Sequence, residues 1–206
     1  MGLFKNYINQ TRKPEGVLGK VMLNGMNGGH AKLSDWGMSH LRISPENIID
    51  IGCGGGRNAG ELMKKYPFAK MTALDYSPLS VQKTAEYNKN EIAKGRCQAV
   101  QGDVSALSLD KNSYDLATAF ETIYFWKGLE KCFGQVYNIL KKDGVFMIVN
   151  ESDGTDTASL KFEKMIDGMK CYTAEIITSA LETAGFSEIQ SFHHEAKAWI
   201  TVIAKK

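Results

Sequence analysis

The sequence predicts an α/β fold built on a doubly wound, mostly parallel sheet of seven strands that ends in an antiparallel C-terminal hairpin. Short apolar segments alternate with longer segments of helical periodicity from about residue 45 to residue 150, which is typical of parallel strands joined by right-handed crossover helices. The last two strand-like segments are joined only by residues 195–198, and this connection is too short for a parallel crossover. We therefore expect five parallel strands, with a hairpin at one edge of the sheet.

The individual elements follow from local residue patterns. The first strand is an apolar run closed by glycines, and the second helix has Ser77 as its N-cap and Pro78 at its first position. The last helix ends at Gly185, since glycine is typical of helix C-termini. Strands are predicted over 47–51, 70–75, 97–102, 114–120, 145–150, 187–194 and 199–204, and helices over 58–66, 78–92, 129–140, 158–169 and 173–184.

Length and composition limit the classes of protein to consider. The chain has 206 residues and a net charge of +2, from 25 basic and 23 acidic side chains. This size suits one domain, predicted over residues 45–206, with residues 1–44 as an appendage lying over the sheet. The charge balance lacks the basic footprint of a nucleic-acid-binding protein, and no apolar run approaches the ~18 residues of a membrane span.

The cysteines and the first residues bear on the cellular setting. Four cysteines are spread along the chain without the spacing of a zinc site or a disulfide framework. We therefore expect no metal, and free thiols in a reducing cytoplasm. The first residues lack the apolar core of a secretory signal, so we expect none.

Glycines crowd the turn after the first strand, where residues 50–56 read DIGCGGG. Such a turn lets a ligand approach the backbone, and the next helix N-terminus offers unpaired N–H groups to a diphosphate or a carboxylate. A dinucleotide fingerprint needs glycine or alanine where Arg57 stands, and a phosphate-binding P-loop needs a Gly-Lys-Ser/Thr sequence that does not follow. The pattern that fits is an acidic residue followed by glycine at every second position.

Further acidic residues stand at the carboxyl ends of other predicted strands. Asp75 closes the second strand, where a carboxylate can accept hydrogen bonds from both ribose hydroxyls of a nucleoside. Asp103 follows the third strand and Glu121 follows the fourth. The carboxyl ends of parallel strands share one edge, so we expect these side chains and Asp50 to meet in one crevice. Asp115 begins the fourth strand at the opposite edge and is predicted to be structural.

Through these motifs, residues 46–150 resemble the class I S-adenosylmethionine-dependent methyltransferases, which have a Rossmann-like sheet and end in such a hairpin. The resemblance implies an enzyme with S-adenosylmethionine as its cofactor. In that family the glycine loop holds the methionyl end of the cofactor. Gly52, Cys53 and Gly54 would then approach it through their backbone, and Asp50 would serve its ammonium group, often through water.

The resemblance also implies roles for the residues after the next strands. Asp75 would bind the ribose, Tyr76 would cover the adenine, and Asp103 would accept from the adenine amino group beside the backbone N–H of Val104. The residues that leave the fourth strand would line the cofactor floor and the acceptor pocket. The cofactor-binding residues predicted in this way are Asp50, Gly52, Cys53, Gly54, Gly56, Asp75, Tyr76, Asp103, Val104, Phe120 and Glu121.

A small-molecule acceptor, and no nucleic acid or membrane, is the expected partner. Enzymes of this class that methylate nucleic-acid amino groups usually carry an Asn/Asp-Pro-Pro-Tyr/Phe element after the fourth strand, and cytosine C5 enzymes carry Pro-Cys, but residues 121–124 read ETIY. Residues 1–44 and 152–172 would form a lid that excludes water during an in-line displacement. The candidates for acceptor recognition are His30, Asp35, Trp36, Glu121, Tyr124, Phe125, Trp126 and Glu151.

Two other function classes stay open at this point. A non-catalytic S-adenosylmethionine-binding module would share every cofactor motif, and a nicotinamide-dependent oxidoreductase would share the glycine turn and the ribose-binding aspartate. The sequence leaves open the acceptor atom, the need for a general base and the oligomeric state.

Overall fold

The computed structural model describes residues 14–16, 19, 22 and 30–206. Its sheet has seven strands in the order β3-β2-β1-β4-β5-β7-β6. The strands are β1 (Asn47–Ile51), β2 (Lys70–Asp75), β3 (Cys97–Gln101), β4 (Tyr114–Phe120), β5 (Leu140–Asn150), β6 (Ser187–His193) and β7 (Ile200–Lys205). The helices within 30–206 are α1 (Ala31–Ser39), α2 (Arg57–Lys65), α3 (Pro78–Tyr87), α4 (Lys89–Ala93), α5 (Leu129–Ile139), α6 (Thr157–Met165) and α7 (Ala174–Thr183).

The strand directions confirm the predicted fold class. Neighbouring pairs among β1 to β5 are parallel, whereas β7 is antiparallel to both β5 and β6. The C-terminal hairpin is therefore the antiparallel element that the short connection predicts. Within residues 30–206, the structure contains no helix long and apolar enough to cross a membrane.

The sheet is covered on both faces by apolar packing. On one face Phe133 of α5 and Phe146 of β5 are fully buried, with ring centroids 5.5 Å apart. On the other face Leu62 of α2 and Leu33 of α1 are buried against the strands. Gly37 lies so close to β5 that a Cβ there would stand 2.5 Å from Val149 Cγ2. The described end of the appendage is therefore packed tightly on the sheet.

Three predicted elements have boundaries that differ from the structure by more than one residue. The helix predicted over 78–92 is broken at Asn88, whose buried amide donates to the Gly56 carbonyl oxygen at 2.9 Å. Strand β5 begins at Leu140, which pairs with Tyr114, and the register shifts before the pairing resumes. Helix α6 ends at Met165, and its predicted apolar face has no fully buried residue within the helix. In each case a tertiary contact, or its absence, outweighs the local pattern.

Asp115 has the structural role that its position predicts. Its Oδ2 accepts hydrogen bonds from the backbone N–H groups of Glu46 and Asn47, at 3.1 and 2.8 Å, and its Oδ1 pairs with Lys141 Nζ at 2.8 Å. These partners lie at the amino end of β1 and at the start of β5, so the carboxylate ties the sheet together on the edge away from the glycine loop.

Replacing Gly134 with alanine is expected to raise the free energy of unfolding by about 0.5–1 kcal/mol, because alanine loses less backbone entropy in a helix. Gly134 lies within α5, and a Cβ there meets no atom within 4 Å. Urea unfolding of the two proteins measures the difference. The control is Gly144→Ala, whose Cβ would stand 2.8 Å from the Lys141 carbonyl oxygen and which should be destabilising. Equal stability of the two variants would contradict the packing described here.

Candidate active site

A crevice of about 240 Å³ opens at the carboxyl ends of the strands, where the strand order reverses between β1 and β4. Most of the residues predicted to bind a cofactor line it. They are Gly52, Gly54, Asp75, Tyr76, Asp103, Val104, Phe120 and Glu121. Asp50, Cys53 and Gly56 are buried nearby and do not line the crevice. The structure does not place these three residues at the surface of the crevice, so their roles in cofactor binding stay predictions.

The glycine loop has a conformation that only glycine accepts easily. Gly52, Gly54 and Gly56 all have positive φ, at 80°, 53° and 82°. A Cβ on Gly52 would stand 2.2 Å from Thr122 Oγ1, so the loop backbone lies directly against the end of β4. Gly56 instead packs on α3, because a Cβ there would meet Thr84 Cα at 2.7 Å. Glycine is thus required at position 52 by the close approach of Thr122, and at position 56 by the packing of the loop on α3.

Asp75 links the end of β2 to the glycine loop. Its Oδ2 accepts a hydrogen bond from Gly54 N at 3.0 Å, and its Oδ1 accepts one from Ser77 N at 2.9 Å. Burial raises the pKa of this carboxyl, and the two backbone hydrogen bonds act in the opposite direction. Each carboxylate oxygen keeps acceptor capacity beyond these bonds. The side chain lines the crevice and is suited to accept from a diol.

Asp103 combines the two roles that its position allows. Its Oδ1 accepts from Ser105 N at 2.8 Å and so caps the short 3-10 helix Val104–Ala106. This hydrogen bond lowers the pKa of Asp103. The residue also lines the crevice, beside the buried Val104 and the partly exposed Tyr76. An anionic acceptor stands there next to an apolar wall, as an adenine ring requires.

Several residues that line the crevice were missed by sequence reasoning: Pro14, Ser80, Lys127 and Cys132. Pro14 belongs to the appendage, and its carbonyl oxygen accepts a hydrogen bond from Ser77 Oγ at 3.1 Å. A contact between positions so far apart in the chain has no local sequence signal. It places part of the appendage in the wall of the crevice.

Asp50 is a buried carboxyl directly under the loop. It is 1% exposed, and its Oδ1 accepts from Thr118 Oγ1 at 2.8 Å. Burial raises its pKa to about 7. Cys53 is also buried and accepts from Thr84 Oγ1 at 3.2 Å. Both side chains therefore support the loop from below.

The raised pKa of Asp50 makes the free energy of unfolding depend on pH. The folded protein holds this proton up to about pH 7, whereas the unfolded chain releases it near pH 3.8. The folded state binds more protons between these values, so its stability falls as pH rises through this window. Two pKa units correspond to roughly 2–3 kcal/mol, which we expect the wild type to lose between pH 5 and pH 8 relative to Asp50→Asn.

Urea midpoints of the cofactor-free protein at pH 5 and pH 8 measure this difference. Asp110→Asn is the matched control, because Asp110 is an exposed carboxyl. Parallel pH profiles for the wild type and Asp50→Asn would contradict the burial of an ionisable group under the loop.

A second group of ionisable side chains adjoins the crevice at Glu121. His30 Nε2 lies 3.5 Å from Glu151 Oε2 and 3.9 Å from Glu121 Oε2. Glu121 Oε1 accepts from Tyr124 Oη at 3.1 Å and also from the backbone N–H of Glu151. Burial raises the pKa of Glu121 to about 7, and the hydrogen bond to Glu151 raises the pKa of His30. The structure thus brings together four of the predicted acceptor-recognition residues.

The other acceptor candidates divide between the crevice and the surface. Phe125 and Trp126 line the crevice. Asp35 instead forms an ion pair with Arg57, with Oδ1 2.8 Å from Nη2. Trp36 packs among aromatic rings, with its centroid 6.1 Å from that of Trp199. These last contacts hold α1 on the domain, as expected for a packing anchor.

Residues 49–148 match a family model described as a methyltransferase domain. The matched region contains the glycine loop, Asp75 and Asp103, on which the predicted resemblance to the class I S-adenosylmethionine-dependent methyltransferases rests. This confirms the predicted resemblance, and with it S-adenosylmethionine as the cofactor.

Curated relatives of this chain have names that refer to different methyl acceptors. A sterol 24-C-methyltransferase of Gibberella zeae is 26% identical over 157 residues, which cover 72% of this chain and 40% of the relative. A malonyl-[acyl-carrier protein] O-methyltransferase of Priestia megaterium is 31% identical over 108 residues, which cover 52% and 38%. The chain therefore spans well under half the length of these relatives.

Solved structures share the fold at low sequence identity. A methyltransferase in complex with a Haloferax volcanii methyltransferase activator has a TM-score of 0.82 at 16% identity, over 89% of this chain and 93% of that one. Human N-acetylserotonin methyltransferase in complex with S-adenosylmethionine has a TM-score of 0.75 at 18% identity, over 90% and 55%. The [4+2]-cyclase SpnF has a TM-score of 0.70 at 15% identity, over 85% and 80%. These likenesses concern the fold alone, since one fold supports several reactions.

The residues present fit the cofactor of the family. The backbone of Gly52 and Gly54 lines the crevice, and neither residue has a side chain that would cover it. Asp75 offers buried acceptor oxygens, and Asp103 offers a carboxylate beside the apolar side chain of Val104. These groups match an amino-acid end, a ribose diol and an adenine, respectively.

Proposed function

We propose that this protein transfers the methyl group of S-adenosylmethionine to a small-molecule acceptor by in-line displacement. The observation that supports it is one crevice that joins the glycine loop, Asp75 and Asp103 to the acid-lined end at Glu121. The two ends differ in chemistry, since nucleoside-binding groups stand at one and titratable groups at the other. This is the arrangement that a two-substrate transfer requires.

Each residue has a proposed role in binding. Asp75 accepts hydrogen bonds from the ribose, Asp103 accepts from the adenine amino group beside Val104 N–H, and Tyr76 covers the ring. The backbone of Gly52, Cys53 and Gly54 contacts the amino-acid end of the cofactor. Gly56 sets the shape of the loop, and the side chain of Asp50 supports the loop from within the sheet. Phe120 and Glu121 separate the cofactor from the acceptor.

When bound, S-adenosylmethionine supplies a methyl group that is already electrophilic because it is carried on a sulfonium. The protein's contribution is then to orient the acceptor and to exclude water. Phe125 and Trp126 supply an apolar wall, and Pro14 covers one side of the opening. We assign the appendage, residues 1–44, as a lid over this domain, residues 45–206. Much of that lid lies outside the described residues.

The small-molecule acceptor is supported by the sequence after β4 and by two relatives. Residues 121–124 lack the elements of nucleic-acid methyltransferases, and the net charge is only +2. The names of the two curated relatives given above refer to a sterol and to malonyl-[acyl-carrier protein] as the methyl acceptor. A cytoplasmic setting is part of the proposal, supported by four buried free cysteines.

Calorimetric titrations with S-adenosylhomocysteine and with NADH test the cofactor side of this proposal. We expect binding of the first and none of the second, since the third glycine of a dinucleotide fingerprint is replaced by Arg57. Incubation with methyl-labelled cofactor and a metabolite extract then tests turnover. Binding without any labelled product would favour a non-catalytic module, and label on a DNA or RNA duplex would contradict the small-molecule acceptor.

A further inference from the structure

We propose that Glu121, His30 and Glu151 form a proton path from the methyl acceptor to solvent. The acceptor is then a hydroxyl, thiol or amine that must lose a proton, rather than a carbon–carbon double bond. This inference rests on the proposed methyl transfer and specifies its acceptor end.

The three side chains are ordered from the crevice outward. Glu121 lines the crevice and its side chain is 13% exposed, that of His30 is 29% exposed, and that of Glu151 is 54% exposed. His30 Nε2 stands between the two carboxylates, within 3.9 Å of one and 3.5 Å of the other. A proton received at the crevice therefore has a partner at each step toward water.

The orientation of Glu121 is enforced by its surroundings. Its φ of 58° lies in the left-handed region, which costs a non-glycine residue roughly 1 kcal/mol or more. Tyr124 Oη and the Glu151 backbone N–H hold one carboxylate oxygen, Oε1, and the other, Oε2, faces His30. Tyr124 is fixed in turn, since its Oη accepts from Ser152 N at 3.0 Å. The constraint thus aims one oxygen at the imidazole.

The charges that surround these groups suit proton transfer. The basic group that faces Glu121 and Glu151 is the imidazole of His30, and Asp156 adds a further negative charge near Glu151. A permanently charged lysine or arginine would hold Glu121 as an inert carboxylate, whereas a histidine can give and take a proton near neutral pH. The pKa of Glu121, raised by burial to about 7, suits a base that works at neutral pH.

The step balances as a nucleophilic displacement. The acceptor heteroatom forms a bond to the methyl carbon, and the bond between that carbon and sulfur breaks with its electron pair left on sulfur. The proton of the acceptor moves to Glu121 Oε2, then to His30 Nε2 and on to Glu151, which releases it to water. No oxidant or metal is needed.

The first test follows the imidazole itself in the cofactor-free protein. NMR titration of labelled histidine should give His30 a pKa above 6.5 in the wild type. It should fall in Glu151→Gln and in Glu121→Gln, because each change removes a negative charge facing the ring. Glu182→Gln, an exposed change on α7, is the control and should leave the titration unchanged. A His30 pKa that is the same in Glu121→Gln as in the wild type would overturn the path.

The second test uses S-adenosylmethionine with a ¹³C-labelled methyl group and a fractionated metabolite extract. The ¹³C chemical shift of the product reports whether the methyl group is bound to oxygen, nitrogen, sulfur or carbon. Glu121→Gln and His30→Gln should each reduce turnover by about 100-fold or more. His30 does not line the crevice, so His30→Gln should leave S-adenosylhomocysteine affinity within about threefold. His193→Gln replaces an exposed histidine of β6 and should retain wild-type turnover.

The outcomes separate the two proposals. If the wild type neither binds S-adenosylhomocysteine nor transfers label, the proposed function fails. If it transfers label to carbon, or if either variant keeps turnover, the proton path fails and methyl transfer stands. The three side chains place ligand atoms within 4.8 Å of one another. Turnover that is lost with EDTA and restored by Mg²⁺ or Zn²⁺ would therefore also overturn the path, in favour of a cation on the same groups.

Discussion

Asp75→Asn is expected to weaken S-adenosylhomocysteine binding by about 100-fold or more. The amide keeps the size of the side chain but replaces one acceptor oxygen with a donor, and removes the charge. Two hydrogen bonds from a ribose to a carboxylate contribute about 1.5–3 kcal/mol each, and each 1.4 kcal/mol is a factor of ten in affinity. Calorimetric titration of both proteins at the same pH measures the loss.

The control must separate ligand binding from the role of Asp75 in the loop. Its carboxylate also accepts from Gly54 N and Ser77 N, so the variant is expected to lose some stability. A thermal unfolding midpoint well above the temperature of the titration shows that the variant is folded during the measurement. Asp110→Asn changes an exposed carboxyl and should bind normally. A folded Asp75→Asn protein with unchanged affinity for S-adenosylhomocysteine would show that Asp75 does not bind the ribose.

Gly52→Ala is expected to abolish measurable cofactor binding and to cost about 2–4 kcal/mol of stability. Two effects add up here: a positive φ that disfavours alanine, and a clash that the core must absorb at about 1–3 kcal/mol. The new Cβ would stand 2.2 Å from Thr122 Oγ1 and 2.7 Å from Thr122 Cβ. The loop must therefore move away from β4, into the space that a ligand would use.

A second glycine serves as the matched control for this change. Gly95 has a φ of 70°, and a Cβ there meets nothing within 4 Å. Gly95→Ala therefore carries the backbone strain alone, and should cost about 1 kcal/mol with normal S-adenosylhomocysteine binding. Combining Gly52→Ala with Thr122→Gly should restore part of the stability. If the two alanine variants have equal stability and equal affinity, the close approach of the loop to β4 is not what requires glycine at position 52.

The parts of the fold that were predicted correctly are those set by local chemistry. Strands β2 and β4 were placed to the residue, because apolar runs and polar or turn-forming neighbours mark both ends of each. The break at Asn88 could not be predicted, since it depends on a hydrogen bond to the Gly56 carbonyl 32 positions away. The early start of β5 likewise depends on the pairing of Leu140 with Tyr114.

The crevice itself was largely predictable, because residues at the carboxyl ends of parallel strands are brought to the same edge of the sheet. Asp75 is the last residue of β2, Asp103 lies two residues after β3, Glu121 directly follows β4, and all three line the crevice. Asp50 lies one residue before the end of β1, and its side chain is buried in the sheet. The meeting of His30 with Glu121 could not be foreseen, since it depends on where the appendage docks.

The hydrogen bond from the Ser77 hydroxyl to the Pro14 carbonyl oxygen connects the appendage to the wall of the crevice. The same hydroxyl accepts from Ser80 N and caps α3, so it stays in place whether or not the appendage does. Releasing one such bond costs about 0.5–1.5 kcal/mol, which is a small barrier compared with disrupting the sheet. The contact at Pro14 can therefore be lost without unfolding α3 or the sheet beneath it.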